Sequence, residues 1–344
     1  MGASSVHIRS ARRWGRRPAC LAGAIWLYAA LVATSAAAQG STERQALDDA
    51  WWTGPIFAAS AATLPEGHVA IEPYLYDVRP YAHLDGRGDS RRAAREDDFG
   101  SLTYLYYGLA DGMTVGLIPH FGYRRVTGGQ GSRGVGVGDL TIQAQYRLTQ
   151  FHEGGWTPTT SLSIGESLPV GRHDRLDDRP ADGFGTGAYT TTVTFYGETY
   201  GWPSGGRILR SRVNLWYSRS SSAGVKGESV YGTPRGFAGR ARPGDAAFGD
   251  ISFEYSLKRN WVAAIEFGVE QDGRTRVTGR APGVEGSTAP LRLRSSVSRS
   301  VFVAPAVEYS LNANLGVLIG AEWIPAGRNV SASVTPVLAI NWYH

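Results

Sequence analysis

Apolar and polar side chains alternate along most of this chain in strand-length segments. In residues 139–148, one parity carries Leu140, Ile142, Ala144, Tyr146 and Leu148, whereas polar residues occupy the other. Because a strand places successive side chains on opposite faces, such a segment has one apolar and one polar face. The pattern predicts twelve strands, at 66–79, 99–109, 113–125, 137–149, 157–170, 187–199, 207–219, 247–257, 261–271, 297–310, 314–325 and 330–343.

The connections between these segments alternate in length. Short ones lie at 110–112, 258–260 and 311–313, and longer ones at 80–98, 126–136, 171–186, 220–246 and 272–296. Short periplasmic turns and long external loops are typical of outer-membrane barrels. The sequence therefore predicts an all-β fold, an antiparallel up-and-down transmembrane β-barrel of about twelve strands, with both termini in the periplasm.

Charged residues of these segments fall on the face opposite the apolar one. A charge at the lipid midplane costs about 2–4 kcal/mol, so the apolar face is expected to contact lipid and the charged face to line the lumen. These charges either pair with one another structurally or form a constriction that filters solutes. The candidate lumen-lining residues are Glu72, Arg124, Arg147, Arg210, Arg212, Glu254, Glu266, Glu308 and Glu322.

A secreted soluble β-sandwich adhesin is an alternative, because sandwich strands also alternate. Arg87-Gly88-Asp89-Ser90 would be its recognition motif, although coincidence explains this tetrapeptide in a Gly- and Arg-rich loop. Aromatic residues recur at strand ends, as in the interfacial girdle of a membrane protein. The chain stops in an aromatic strand, Asn341-Trp342-Tyr343-His344. Both features favour the barrel.

The N-terminus resembles a targeting segment. Five arginines precede an apolar stretch from Cys20 to Val32, and Ala36-Ala37-Ala38 supplies a cleavage site. We therefore expect residues 1–38 to be a cleaved signal peptide, 39–65 an N-terminal periplasmic or lumenal segment, and 66–344 the barrel. Residues 51–64 are expected to tuck into the periplasmic mouth or lumen, with an extra edge strand as the alternative.

Removal of the signal peptide changes the charge and cysteine content. The five arginines of the signal, taken from 35 basic residues, leave 30, which equal the 30 acidic residues. A neutral mature chain gives no reason to expect a nucleic-acid partner. The single cysteine, Cys20, leaves with the signal, so neither disulfides nor thiolate chemistry are expected.

Motifs that could carry chemistry have simpler explanations here. The glycine-rich run 134–139 precedes a strand, whereas a phosphate-binding loop requires a following helix. The histidines show no metal-ligand spacing. Ser163 and Ser167 have the inward parity, but spacing gives neither a histidine base. We therefore expect no metal, no cofactor and no enzymatic activity; a barrel with a structural or lipid-directed enzymatic role is the alternative.

Several short segments resemble a known family. They are Leu64 to His68, Ile71 to Tyr74, Tyr107 to Leu109, Gly136 to Leu140, Tyr146 to Leu148, Ser167 to Gly171 and Gly183 to Gly187. With them the chain resembles the "MetA pathway of phenol degradation" family of outer-membrane transporter-like barrels, over nearly all of the mature sequence. Glu166 departs from the basic residue usual in that family. The resemblance implies a barrel associated with uptake of hydrophobic or aromatic compounds.

Together these features predict a porin-like channel in the Gram-negative cell outer membrane. It would take up small, hydrophobic or aromatic solutes passively, through external loops and then a charged lumen. A twelve-stranded barrel encloses more space than an eight-stranded barrel, whose interior is filled by its own side chains. Outer-membrane lipid and a small-molecule solute are the expected partners, and the pattern sets no oligomeric state.

Overall fold

The computed structural model describes residues 44–92, 96–177, 179–283 and 286–344, so the predicted signal peptide lies outside the described residues. Its main sheet contains twelve antiparallel strands within this part of the chain. They are β1 (Val69–Leu84), β2 (Glu96–Ala110), β3 (Met113–Ile118, continued as His120–Val126), β4 (Leu140–Thr149), β5 (Thr159–Leu168), β6 (Thr190–Gly201), β7 (Leu209–Ser220), β8 (Ala246–Lys258), β9 (Trp261–Asp272), β10 (Ser298–Asn312), β11 (Leu315–Arg328) and β12 (Val330–Tyr343).

The sheet closes on itself as a barrel. Each strand pairs with the next in sequence, and β1 pairs antiparallel with β12 from Ala70↔Tyr343 to Leu84↔Val330. β3 is interrupted at Pro119, which has no backbone N–H to donate to the ladder. The predicted twelve-stranded antiparallel barrel is therefore confirmed, with strand ends shifted by a few residues from those expected.

Burial is inverted relative to a soluble protein. The exposed fractions of Ile319 and Leu338 are 63% and 40%, whereas Glu266 and Glu308 are fully buried. The apolar parity of each strand thus forms the outer surface and the charged parity faces inward. A closed barrel with an exposed apolar band is typical of membrane barrels, so the soluble two-sheet sandwich is the wrong alternative.

The two ends of the barrel differ as predicted. At one end, which we call the turn end, Asp111-Gly112, Arg259-Asn260 and Ala313-Asn314 join neighbouring strands. Gly112 has φ +78°, a left-handed conformation that glycine adopts without strain. The opposite end, the loop end, carries the long connections and one tight connection, Asn329, also left-handed with φ 53°.

Two of the long loops build a separate four-stranded sheet that the sequence did not predict. Its strands are Ala223–Lys226, Ala238–Arg242, Arg276–Pro282 and Thr288–Arg294, paired in that order. Two-residue strands at Ser90–Arg91 and Gly136–Val137 extend the barrel sheet, and short 3₁₀ helices lie at Leu47–Asp49 and Pro180–Asp182. Among the described residues, no helix is long and apolar enough to cross a membrane.

Candidate functional site

Residues 51–64, which we call the lumenal loop, lie inside the barrel. One end is fixed at the turn end, where the Trp51 N–H donates to the Arg259 carbonyl oxygen at 2.7 Å. At the other end, the Leu64 N–H donates to Thr114 Oγ1 of β3 at 2.8 Å. Between them the loop contacts inward-facing side chains of several wall strands. The loop therefore enters the lumen from the turn end and returns to it.

Two glutamates of the wall hold the loop by its backbone. Glu308 Oε2 on β10 accepts hydrogen bonds from the N–H groups of Thr53 at 2.7 Å and Gly54 at 2.9 Å, and from the Thr53 hydroxyl at 3.0 Å. Glu266 on β9 accepts from the N–H groups of Ile56 and Ala58, each at 2.7 Å, and Phe57 at 3.0 Å. Hydrogen bonds to an ionised acceptor are about twice as strong as neutral ones.

The local sequence of the loop suits this arrangement. Donors precede and follow Pro55, which has no N–H and lies between the residues bound by the two carboxylates. Gly54 has φ +96°, a conformation that side chains disfavour, and it turns successive N–H groups toward different acceptors. A Thr-Gly-Pro-Ile run thus divides the loop's donors between Glu308 and Glu266.

An ion-pair cluster lies beside the two glutamates. Arg210 Nε donates to Glu254 Oε2 at 2.7 Å, and Arg212 Nε lies 3.2 Å from both Glu198 and Glu254. Arg212 Nη1 also donates to the Ala58 carbonyl oxygen of the loop at 2.6 Å. All four side chains are almost completely buried.

The charged side chains of this cluster do not neutralise one another. Two guanidinium groups face four carboxylates, those of Glu198, Glu254, Glu266 and Glu308. A buried charge is costly unless it is paired or hydrogen-bonded. The N–H groups of the lumenal loop supply that solvation for Glu266 and Glu308, which the arginines do not contact.

The other predicted lumen-lining residues lie apart from this cluster. Glu72 accepts from Asn341 Nδ2 at 2.6 Å, and the same amide lies 3.3 Å from the Thr53 carbonyl oxygen, so it borders the loop. Arg124 lies toward the loop end, where it donates to Asp98 at 3.0 Å. Arg147 is half-buried beside the β2–β3 turn, and Glu322 is half-buried opposite Thr335.

Sequence reasoning missed two participants of the cluster. Glu198 is fully buried and accepts from the Ser60 hydroxyl at 2.8 Å; its inward parity in β6 was the available signal. The loop's own backbone donors leave no signature in the pattern of side chains, so their binding to Glu266 and Glu308 had no signal at all.

Inward-facing aromatic side chains form a second group, which we call the aromatic zone: Trp216, Phe248, Phe302, Tyr74 and Tyr104. Trp216 stacks on Phe248 with ring centroids 5.4 Å apart, and Phe248 on Phe302 at 5.6 Å. Phe57 of the lumenal loop packs on Phe302 at 4.8 Å. Tyr74 meets Tyr104 edge to face at 5.6 Å. The lumen is thus partly apolar, which the predicted charged lining did not include.

The loop end contains a cavity of about 920 Å³. Phe184 lines it and packs against the positions where Gly122 and Gly136 lack a side chain, with the Arg124 guanidinium 4.7 Å from its ring centroid. Val230 and Pro234 also line the cavity. Within the described residues, no group of His, Cys, Asp and Glu has the arrangement of a metal site.

The fold is similar to that of solved outer-membrane barrels. The crystal structure of the COG4313 outer membrane channel from Pseudomonas putida F1 is similar with a TM-score of 0.63 and 14% sequence identity, covering 84% of this chain and 100% of that chain. This likeness supports the barrel fold.

Two autotransporter domains are less similar in structure. The beta domain of the Bordetella autotransporter BrkA has a TM-score of 0.45 at 12% identity, covering 80% of this chain and 99% of that chain. The translocator domain of autotransporter NalP from Neisseria meningitidis has a TM-score of 0.40 at 10% identity, covering 94% and 96%. No curated protein matches the sequence.

The family described as "Putative MetA-pathway of phenol degradation" matches residues 70–335, from the first residues of β1 into β12. The match thus spans the wall strands that carry the cluster and the aromatic zone. The resemblance stated from the sequence is confirmed, and the chain belongs to this family.

Proposed function

We propose that this protein is a passive channel in the bacterial outer membrane for small hydrophobic or aromatic solutes, and that the lumenal loop gates it. The observation that carries the proposal is the aromatic zone, which lies inside a barrel whose other inward positions are largely polar. Apolar and aromatic linings with a few polar groups are characteristic of small-molecule sites. The COG4313 relative is itself described as an outer membrane channel.

The position of the lumenal loop supports the gating part of the proposal. Phe57 packs on the aromatic zone from the turn end, so solute that has reached this zone meets the loop next. The loop is bound by hydrogen bonds and carries no charged side chain between residues 51 and 64. Its displacement would leave the cluster carboxylates to water, which also donates hydrogen bonds.

In this proposal the charged residues predicted to line the lumen do not filter solutes. Arg210 and Arg212 form ion pairs with Glu198 and Glu254, so they stabilise the wall and the loop. The outer-membrane location and cleavage of residues 1–38 are parts of the proposal. Solute enters through the cavity at the loop end, past Phe184 and Arg124.

The enzymatic alternative gains no support from the inward serines. Ser163 Oγ lies 3.1 Å from the Tyr196 hydroxyl, and Ser167 Oγ lies 2.7 Å from Thr141 Oγ1. Among the described residues neither serine contacts a histidine, whereas a nucleophile needs an adjacent base. We therefore propose no catalytic role for this barrel.

Swelling of proteoliposomes tests the proposal. We expect faster swelling in phenyl β-glucoside than in a disaccharide of similar size, because the phenyl ring can pack on the aromatic zone. Phe302→Ala should reduce the difference in swelling rate between the two solutes, because it removes the ring on which Phe248 and Phe57 pack. Val303→Ala, on the same strand but facing outward, is the matched control.

Two results would overturn the proposal. One is the absence of both swelling and ion conductance for the wild-type protein and for a variant whose lumenal loop has been released. The other is an unchanged preference in Phe302→Ala, which would remove the aromatic zone from solute selection.

A further inference from the structure

A row of arginines crosses the four-stranded sheet at the loop end. Arg242 is paired directly with Arg276 in register, and Arg276 with Arg294. Directly opposed residues of antiparallel strands lie on the same face, about 5 Å apart, so the row spans roughly 10 Å. Like charges in such positions destabilise a sheet. The row therefore costs stability in the isolated protein.

Among the described residues, no ion pair offsets this cost for the three arginines. All three are exposed, and Arg274, also exposed, lies beside them. Within the part of the chain that the structure describes, none of the four forms an ion pair with a carboxylate. A solvated guanidinium cluster that forms no ion pair with the described residues is available to an anion from outside the protein.

The reverse face of the same sheet fixes which way the arginine row points. Val225, Ala241 and Val277 are buried there beneath Phe237. The segment after residue 226 is joined to the loop that holds Phe184 in the barrel mouth, for example by the Val230 N–H donating to the His173 carbonyl oxygen. The apolar face thus looks toward the mouth and the arginine face away from it.

A groove of about 550 Å³ joins the arginine row to the outer wall of the barrel. Its upper part contains the four arginines. Its lower part contains Ala247 and Tyr217, whose side chain is 52% exposed on the lipid-facing parity of β7. Asp245, the acidic residue that lines the groove, accepts a hydrogen bond from the Tyr217 hydroxyl at 2.7 Å. The groove therefore places a cluster of cations directly above a surface that contacts hydrocarbon.

We propose that this groove binds the phosphorylated headgroup of an anionic glycolipid of the outer leaflet, of the lipid A type. A ligand with acyl chains and phosphates fits both halves of the groove, because its chains lie along the wall while its phosphates reach the arginines. Guanidinium groups bind phosphate in a bidentate manner. A row of about 10 Å across three strands has room for two phosphates.

The test measures lipid binding by the full chain in neutral-lipid nanodiscs. The probes are diphosphoryl lipid A, its monophosphoryl form, and inorganic pyrophosphate as the free-anion arm. One basic residue near an anionic membrane surface strengthens binding about fivefold, so Arg242→Gln/Arg276→Gln/Arg294→Gln should bind diphosphoryl lipid A roughly 100-fold more weakly than wild type. Arg276→Gln alone should lose about fivefold.

The matched control removes the same charge elsewhere at the loop end, in Arg87→Gln/Arg92→Gln/Arg328→Gln, and should bind like wild type. Heat-modifiable migration on gels checks that every variant is folded. Equal affinities of wild type and the row variant for diphosphoryl lipid A would overturn the proposal. So would pyrophosphate binding as tightly as lipid A, since the wall half of the groove would then contribute nothing.

Discussion

Replacement of Glu266 by glutamine should release the lumenal loop. Glu266 binds three consecutive loop N–H groups, those of Ile56, Phe57 and Ala58, through both carboxylate oxygens. Glutamine keeps one oxygen and places an NH₂ donor where the other oxygen was. That donor faces an N–H group, so at least one loop hydrogen bond is lost and a donor–donor contact replaces it.

The size of the effect follows from these contacts. A hydrogen bond to a charged group contributes about 1.5–3 kcal/mol, and the variant loses one or two of them. The free energy that holds the loop in the lumen should therefore fall by about 2–5 kcal/mol. Since 1.4 kcal/mol is a factor of ten, the ratio of released to bound loop should rise at least about 30-fold.

Single-channel recording in planar bilayers measures this ratio as open probability. A cysteine introduced as Ala59→Cys gives a second readout, because the sequence has no cysteine beyond Cys20 and a membrane-impermeant maleimide can reach the loop after it leaves the lumen. Glu322→Gln is the matched control. Glu322 is also an inward glutamate, half-buried on β11, but it does not contact the loop.

We expect higher open probability and faster labelling in Glu266→Gln, with Glu322→Gln unchanged in both. If Glu266→Gln matched wild type in both measurements, the carboxylate would not be what holds the loop. If Glu266→Gln and Glu322→Gln changed alike, the effect would come from lumenal charge and not from the hydrogen bonds.

Two further predictions concern other parts of the chain. Gly316→Ala should also raise open probability, because a Cβ atom there would lie 1.8 Å from Thr53 Cγ2 and push the loop away; unchanged conductance would contradict this. At the loop end, the Arg87 N–H and the Arg91 guanidinium lower the pKa of Asp85 to about 2. Because the pKa is lowered in the folded protein, ionised Asp85 stabilises the turn at pH values above its ordinary pKa near 3.9. This stabilisation is lost as the pH falls toward 2. The NMR chemical shifts of the amides in the turn should therefore titrate near pH 2 and not near pH 4.

The wall of the barrel could be predicted because one physical constraint acts on every strand. Lipid accepts apolar side chains on one parity, and this constraint gave the position of all twelve strands and the inward direction of Glu266 and Glu308. Strand ends moved by a few residues; for example, β1 extends to Leu84, five residues beyond the predicted end at residue 79. Beyond the hydrocarbon region of the membrane, lipid no longer requires one face of β1 to be apolar, so the alternation of apolar and polar residues does not mark the end of the strand.

The four-stranded sheet was missed for the same reason. Its strands are four to seven residues long, and Ala238–Arg242 pairs with Arg276–Pro282 across a long stretch of chain. Arginine and apolar residues do alternate there, as in Leu291-Arg292-Leu293-Arg294. Because these loops were expected to be exposed to water, the alternation could not be distinguished from that of an irregular loop rich in charged residues.

The composition of the lumenal loop explains how a bound loop is compatible with the passive transport that we propose. Residues 51–64 carry no charge, so the loop offers Glu266 and Glu308 little besides backbone N–H groups. Water filling a vacated lumen would offer the same carboxylates equivalent donors. These hydrogen bonds therefore hold the loop by the difference between protein and water hydrogen bonds, about 1.5–3 kcal/mol for each bond to a charged acceptor. Solute that binds better to the vacated lumen shifts this equilibrium toward the released loop by its differential affinity, without an energy source.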